Sequence, residues 1–147
     1  MVLPSTAQYW RADVGLYHRV QQFYAWQMQL LDDGRVDEWA ATFTEDGVFA
    51  ANAHPEPVSG RENIAAGARA AVAKLAADGL VRRHWLGMLT VAEQPDGTIK
   101  ARSYALVINT PKGGQAAVHV STSCEDVLVA DGPDLLVADR RVTRDDL

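Results

Sequence analysis

Two hydrophobic periods divide this chain. Up to Gly79 apolar residues recur at helical spacing, and from Leu80 onward they alternate one by one. Tyr9, Leu16, Tyr17, Val20, Phe23, Tyr24, Leu30 and Leu31 mark one face of a long first helix. Ser5-x-x-Gln8 has the capping-box pattern that starts such a helix, and Gly34 after Asp32-Asp33 stops it. A short second helix is predicted over about 36–43, carrying Trp39. Asp46-Gly47 then turns into a brief strand over 48–51, and His54-Pro55-Glu56-Pro57 reads as a loop because each proline removes a backbone donor. Ser59-Gly60-Arg61-Glu62 is a second capping-box pattern. It opens an alanine-rich helix with Ile64, Ala68, Ala71, Val72 and Leu75 inward, ended by Gly79.

The alternating half predicts strands over 81–91, 99–110, 115–129 and 135–143. Between them lie Pro95-Asp96-Gly97, Pro111-Lys112-Gly113-Gly114 and Asp131-Gly132-Pro133, all good turn chemistry. The order is helix, helix, strand, helix and four antiparallel strands. This is an α+β class in which three N-terminal helices pack into one curved antiparallel sheet, forming a cone with an open mouth. Such a mouth is a usual place for a small-molecule site.

Composition narrows the function more than the fold. The 147 residues are 48% hydrophobic, enough for one domain spanning 1–147. No stretch approaches the ~20 apolar residues that span a bilayer. The N-terminus lacks a basic-then-apolar leader pattern, so a cytoplasmic protein with no membrane partner is expected. A net charge of −5 with mixed signs argues against a nucleic-acid partner. The single cysteine, Cys124, excludes an internal disulfide, and no spaced metal-ligand set appears. No cofactor fingerprint, phosphate loop or Ser-His-Asp order is present, so neither a cofactor nor a metal is expected.

Chemistry must then come from side chains. His84, in Arg83-His84-Trp85-Leu86-Gly87, carries an imidazole, the side chain suited both to take and to give a proton. It reads either as a general acid/base or as a structural histidine bonded to backbone. Asp32 closes the first helix. It is either a solvated turn residue or the carboxylate that orients and charges the imidazole. Alternation groups His84, Leu86, Met88 and Thr90 on one strand face, Ser103, Ala105, Val107 and Asn109 on the next, and His119, Ser121, Ser123 and Glu125 on the third. If these faces line the cone, Met88, Asn109, His119, Ser121 and Ser123 bind substrate. Among the aromatics, Tyr24, Trp26 and Trp85 are further substrate-binding candidates, and they serve equally well as core.

Several segments carry a family resemblance. Gln22-Phe23-Tyr24, Leu30-Leu31-Asp32-Asp33-Gly34, Asp37-Glu38-Trp39 and Phe43-Thr44-Glu45-Asp46-Gly47-Val48-Phe49 resemble the SnoaL-like branch of the NTF2-like (cystatin-like) superfamily. Arg83-His84-Trp85-Leu86-Gly87, Cys124-Glu125-Asp126-Val127-Leu128 and Arg140-Arg141-Val142 extend the likeness over nearly the whole chain. In the dehydratases of this superfamily an Asp at the end of the first helix pairs with a His on the first long strand, and Asp32 and His84 fall on those places. By the same resemblance Asn109 stands where scytalone dehydratase has its second histidine, Ser121 at its serine and Ser123 at its asparagine. Its two water-holding tyrosines fall at Leu31 and Ala51, and the tyrosine of bile-acid 7-alpha-dehydratase falls at Gln27. The resemblance therefore implies a cofactor-free cyclase, isomerase or dehydratase acting on an aromatic or polyketide-type substrate, and it implies a homodimer. Limonene epoxide hydrolase, another relative, uses an Arg-x-Asp on a strand. Arg102-Ser103-Tyr104 lacks the aspartate, which sets epoxide opening lower. The run 30–39 also resembles the small β subunit of aromatic-ring-hydroxylating dioxygenases, where the implied role is a non-catalytic partner of a larger chain. A ligand-binding module of the same fold is the third reading.

Overall fold

One six-stranded sheet carries the molecule. The computed structural model describes residues 14–147. In chain order the elements are α1 (Val14–Asp32), α2 (Val36–Ala40), β1 (Phe43–Ala51), β2 (Val58–Ser59), α3 (Arg61–Ala77), β3 (Leu80–Glu93), β4 (Ile99–Pro111), β5 (Ala117–Asp131) and β6 (Asp134–Arg144). Across the sheet the strands run β2-β1-β6-β5-β4-β3. The order expected from the sequence is present with one addition, the two-residue β2 before α3. Tyr9 and the Ser5 capping box lie outside the described residues.

Three local expectations are corrected. The second helix stops at Ala40, and Phe43 belongs to a first strand longer than expected. That strand joins the sheet parallel to β6, with Phe43 opposite Val137 and Phe49 opposite Arg140, so the sheet is not antiparallel throughout. The second capping box does not form. Gly60, at φ 93°, is the N-cap of α3 with no side-chain bond, and Ser59 lies in β2, its carbonyl bonded by Asn63. Gly34 at φ 76° does end α1, and the amide of Arg35 reaches back to the carbonyl of Leu30.

The core fills the space between helices and sheet. Leu16, Val20, Phe23 and Leu30 of α1 meet Trp39, Phe43, Ile64, Val91, Ala101, Leu128 and Val137. Burying each large side chain of this set contributes about 1.5–3 kcal/mol. The inner sheet face therefore runs through Val107 of β4, Thr122, Cys124 and Leu128 of β5, and Val137 of β6.

A bulge in β3 decides what faces inward there. His84 pairs with Val107 and Leu86 with Ala105, but the register shifts between Gly87 and Thr90. Met88 takes φ 51°, the one non-glycine residue at positive φ among the described residues. The extra residue flips the phase, so His84 and Leu86 point inward before it, and Leu89 and Val91 after it.

Candidate active site

Asp32 sits in the last turn of α1, where the helix presents unbonded carbonyls and the negative end of its dipole. A carboxylate there needs a partner, and β3 supplies one residue twice. The backbone N–H of His84 donates to Asp32 Oδ2 at 3.0 Å, and the ring Nδ1–H donates to Oδ1 at 2.6 Å. The Asp32 side chain is 8% exposed and the His84 ring 21%. This two-point contact fixes the ring and places the neutral proton on Nδ1. Nε2 is left as an acceptor with no partner among the described residues. A proton taken at Nε2 would leave the ring facing the Asp32 carboxylate and the C-terminal end of α1.

His84 lines a cavity of about 410 Å³ between α1 and β3. Tyr17, Tyr24 and Met28 of α1 and Leu86 and Leu89 of β3 make its walls, while Gln21 and Gln29 add amides. Size and lining suit a small aromatic molecule.

Behind this wall lies a second polar cluster that reasoning from sequence missed. Asp126 and Arg140 stand directly opposite each other on β5 and β6. Arg140 donates from Nε and NH2 to both oxygens of Asp126, at 3.0 and 2.8 Å, and from NH2 to Gln27 Oε1 at 2.8 Å. Gln27 donates to Thr42 Oγ1 at 2.7 Å, and the Tyr24 hydroxyl donates to Asp126 Oδ2 at 2.5 Å. The guanidinium also lies over the rings of Tyr24 and Phe43. Burial alone would pull Arg140 down, but Asp126 outweighs it and holds the guanidinium above its usual value. Burial, then the Asp126 charge, push the Tyr24 hydroxyl well above its usual value of 10.0 and the Cys124 thiol up to about 12. The apolar rhythm Val120, Cys124, Leu128 groups Asp126 with them, but Val127 and Val129 fall on the opposite alternation, so the rhythm does not by itself say which face is inner.

The remaining site candidates divide. Tyr24 lines the cavity with its ring, but its hydroxyl is committed to Asp126, so it offers a substrate a wall rather than a donor. Trp85 and Met88 border the cavity mouth with side chains turned outward, 69% and 77% exposed. Met88 does not share the face of His84, because the bulge rotates it out. Asn109 is on the inner side, opposite Arg82, and accepts from Arg82 Nε at 2.9 Å. Trp26 lies on the other flank of α1, in a groove with His18, Phe23 and Leu136, away from His84. His119, Ser121 and Ser123 are not in the cavity. They belong to the outer course of β5, since the buried residues of that strand are Thr122, Cys124, Asp126 and Leu128. Ser121 donates to Asp145 at 2.6 Å, Ser123 pairs with Tyr104, and His119 is exposed at a second register shift. Among the described residues no three His, Cys, Asp or Glu side chains gather as a metal would need. No helix among them is long and apolar enough to cross a membrane.

Comparison with known proteins agrees with this architecture. The SnoaL-like domain family matches residues 13–141, and the chain belongs to that family, within the NTF2-like fold. No curated protein matches it in sequence. Among solved structures it is similar to Aln2 from a Streptomyces species, at 37% identity and TM-score 0.85 over 92% of this chain and 94% of that one. ActVI-ORFA from Streptomyces coelicolor is 35% identical at TM-score 0.84, over 92% and 98%. A protein from Catenulispora acidiphila, in complex with S-DNPA, is 37% identical at TM-score 0.79, over 91% and 96%. A dioxygenase β subunit at 18% identity shares the fold alone.

Proposed function

We propose that this protein is a cofactor-free acid/base enzyme, a cyclase, dehydratase or isomerase, acting on an aromatic polyketide-type intermediate. The observation that carries the reading is the His84 Nδ1 to Asp32 Oδ1 contact of 2.6 Å beside an apolar cavity. His84 Nε2 takes a proton from an acidic carbon or a hydroxyl of the substrate. Asp32 stabilises the imidazolium, which then returns the proton to a leaving or developing oxygen. The complex of the Catenulispora relative with a small molecule supports a small-molecule substrate. Leu31, Ala51 and Gln27 stand where relatives place hydroxyls for dehydration, so cyclisation, isomerisation or elimination from an activated substrate fits best.

The protein acts in the cytoplasm as a homodimer in this reading. Trp85, Tyr104, Leu106 and Val118 are exposed together on the outer sheet side, an apolar patch that a second copy would cover. Gel filtration showing a monomer at micromolar concentration would remove the dimer.

The central test is His84→Ala, with product formation followed by mass spectrometry. Loss of the general acid/base is expected to lower turnover roughly 10²- to 10⁴-fold. Undiminished turnover would overturn the assignment.

A further inference from the structure

Arg82 stands two residues before His84 on the same inward course of β3, where Leu80, Arg82, His84 and Leu86 are half-buried and Val81, Arg83, Trp85 and Gly87 are exposed. Alternate residues on one strand face are roughly 7 Å apart. Of the five donors of a guanidinium, Nε is spent on Asn109 Oδ1 at 2.9 Å. The terminal nitrogens make no hydrogen bond to any described residue. Asp32 acts on Arg82 by charge, and its two oxygens are already engaged by the ring and backbone of His84. Arg140, the other inward arginine, shows the contrast: its fork is filled by Asp126 and Gln27. Arg82 is thus a pinned, half-buried cation on the inward course of β3, next along it to His84 and just beyond the cavity lining, with its bidentate edge unfilled. That arrangement suits a planar oxyanion reaching past His84.

We infer that Arg82, held by Asn109, binds an anionic oxygen group of the substrate, a carboxylate or an ionised enol or phenol about one ring-width from the atom that His84 deprotonates. This rests on the acid/base reading above and narrows its substrate class to acidic aromatics. Desolvation lowers the Arg82 guanidinium from its usual value, and an anion bound there would offset that cost. Asp32 does not exclude such an anion. Its oxygens face His84, and once Nε2 is protonated the His84–Asp32 pair is neutral overall.

The test compares 2-naphthoate with the neutral 2-naphthylmethanol, titrated calorimetrically into the full chain at pH 8. The wild-type protein is expected to prefer naphthoate by roughly ten-fold or more. Arg82→Gln should abolish the preference, and Arg82→Lys, which keeps the charge but not the fork, should retain part of it. His84→Ala should keep it. Equal discrimination in Arg82→Gln, or no preference in the wild-type protein, overturns the inference. Should Arg82→Gln fail to fold, Asn109→Ala carries the test, since it leaves the guanidinium but unpins it. A reduced preference is then expected, and an unchanged one overturns the inference. Failure of the acid/base reading has a different signature: turnover that survives His84→Ala, whatever the naphthoate preference.

Discussion

Two aspartates in this molecule hold a cationic or potentially cationic partner, and the two pairs are built in opposite ways. Asp126 and Arg140 are both almost fully buried, and both oxygens of the carboxylate are engaged: Arg140 and Tyr24 donate to them, Cys124 adds a thiol contact, and Gln27 takes a further bond from Arg140. Asp32 and His84 sit at a cavity wall, with one ring nitrogen unused. A saturated pair can only hold its neighbours in place, whereas a pair with a spare acceptor can move a proton. The first fixes the Tyr24 ring, and the second faces what that ring encloses.

Substitution should separate the two. Asp126→Ala leaves the Arg140 charge buried without its anion and is expected to cost about 3–5 kcal/mol of stability. The double variant Asp126→Leu with Arg140→Met removes both charges and should cost much less. A chemical-denaturation cycle measures this, and additive losses would mean that the pair is not one unit. Asp32→Asn should do the reverse. The His84 backbone bond can persist, so stability should fall by about 1 kcal/mol. Turnover should drop by about 100-fold or more, because the imidazolium loses its counter-charge. Equal damage to stability and rate in both aspartate variants would erase the distinction.

Alkaline pH sharpens the contrast. The Cys124 thiol and the Tyr24 hydroxyl are both raised in the folded state, the thiol from 9.0 to about 12. Groups raised in this way contribute stability that is complete below their unfolded values. It is lost as pH climbs from about 9 through the folded values, because the unfolded chain releases protons first. Urea midpoints should therefore fall between pH 9 and 12, and Cys124→Ala should flatten part of that slope. A slope unchanged in the variant would mean that the thiol does not report on the buried cluster.

Much of this was legible in the sequence, for physical reasons that also mark where legibility stopped. The change of period at Leu80, the turns around Gly97, Gly113 and Gly132, and the stop at Gly34 follow from backbone chemistry and sit where expected. The Asp32–His84 pair was anticipated by resemblance, and the geometry brings the two together. The inner face of β5 was not legible. Alternation yields two faces but no sign, and valines fall on both: Val120 on one, Val127 and Val129 on the other. The polar set His119, Ser121 and Ser123 looked like a site, while Asp126, a charge, looked like surface. Its burial depends on Arg140, which arrives from β6. Arg82 escaped notice for a related reason: strand phase alone cannot reveal that a charge lacks a hydrogen-bonded anion.

The smallest expected effect concerns the bulge that gives His84 its inward direction. Met88 holds φ 51° with its side chain 77% exposed at the cavity mouth. A straight chain with a side chain resists that backbone region, while glycine enters it freely. Met88→Gly should therefore gain about 0.5–1 kcal/mol of stability, strain relief exceeding the added chain entropy. It should also open the mouth, raising KM a few-fold with kcat kept, because His84 and Asp32 are untouched. Met88→Ala trims the side chain without relieving φ, so it should raise KM alike and gain no stability. If Met88→Gly were instead destabilised and slow, the side chain would be holding the bulge, and with it the position of His84. The division between a saturated structural pair and a free chemical pair would then extend to a third element.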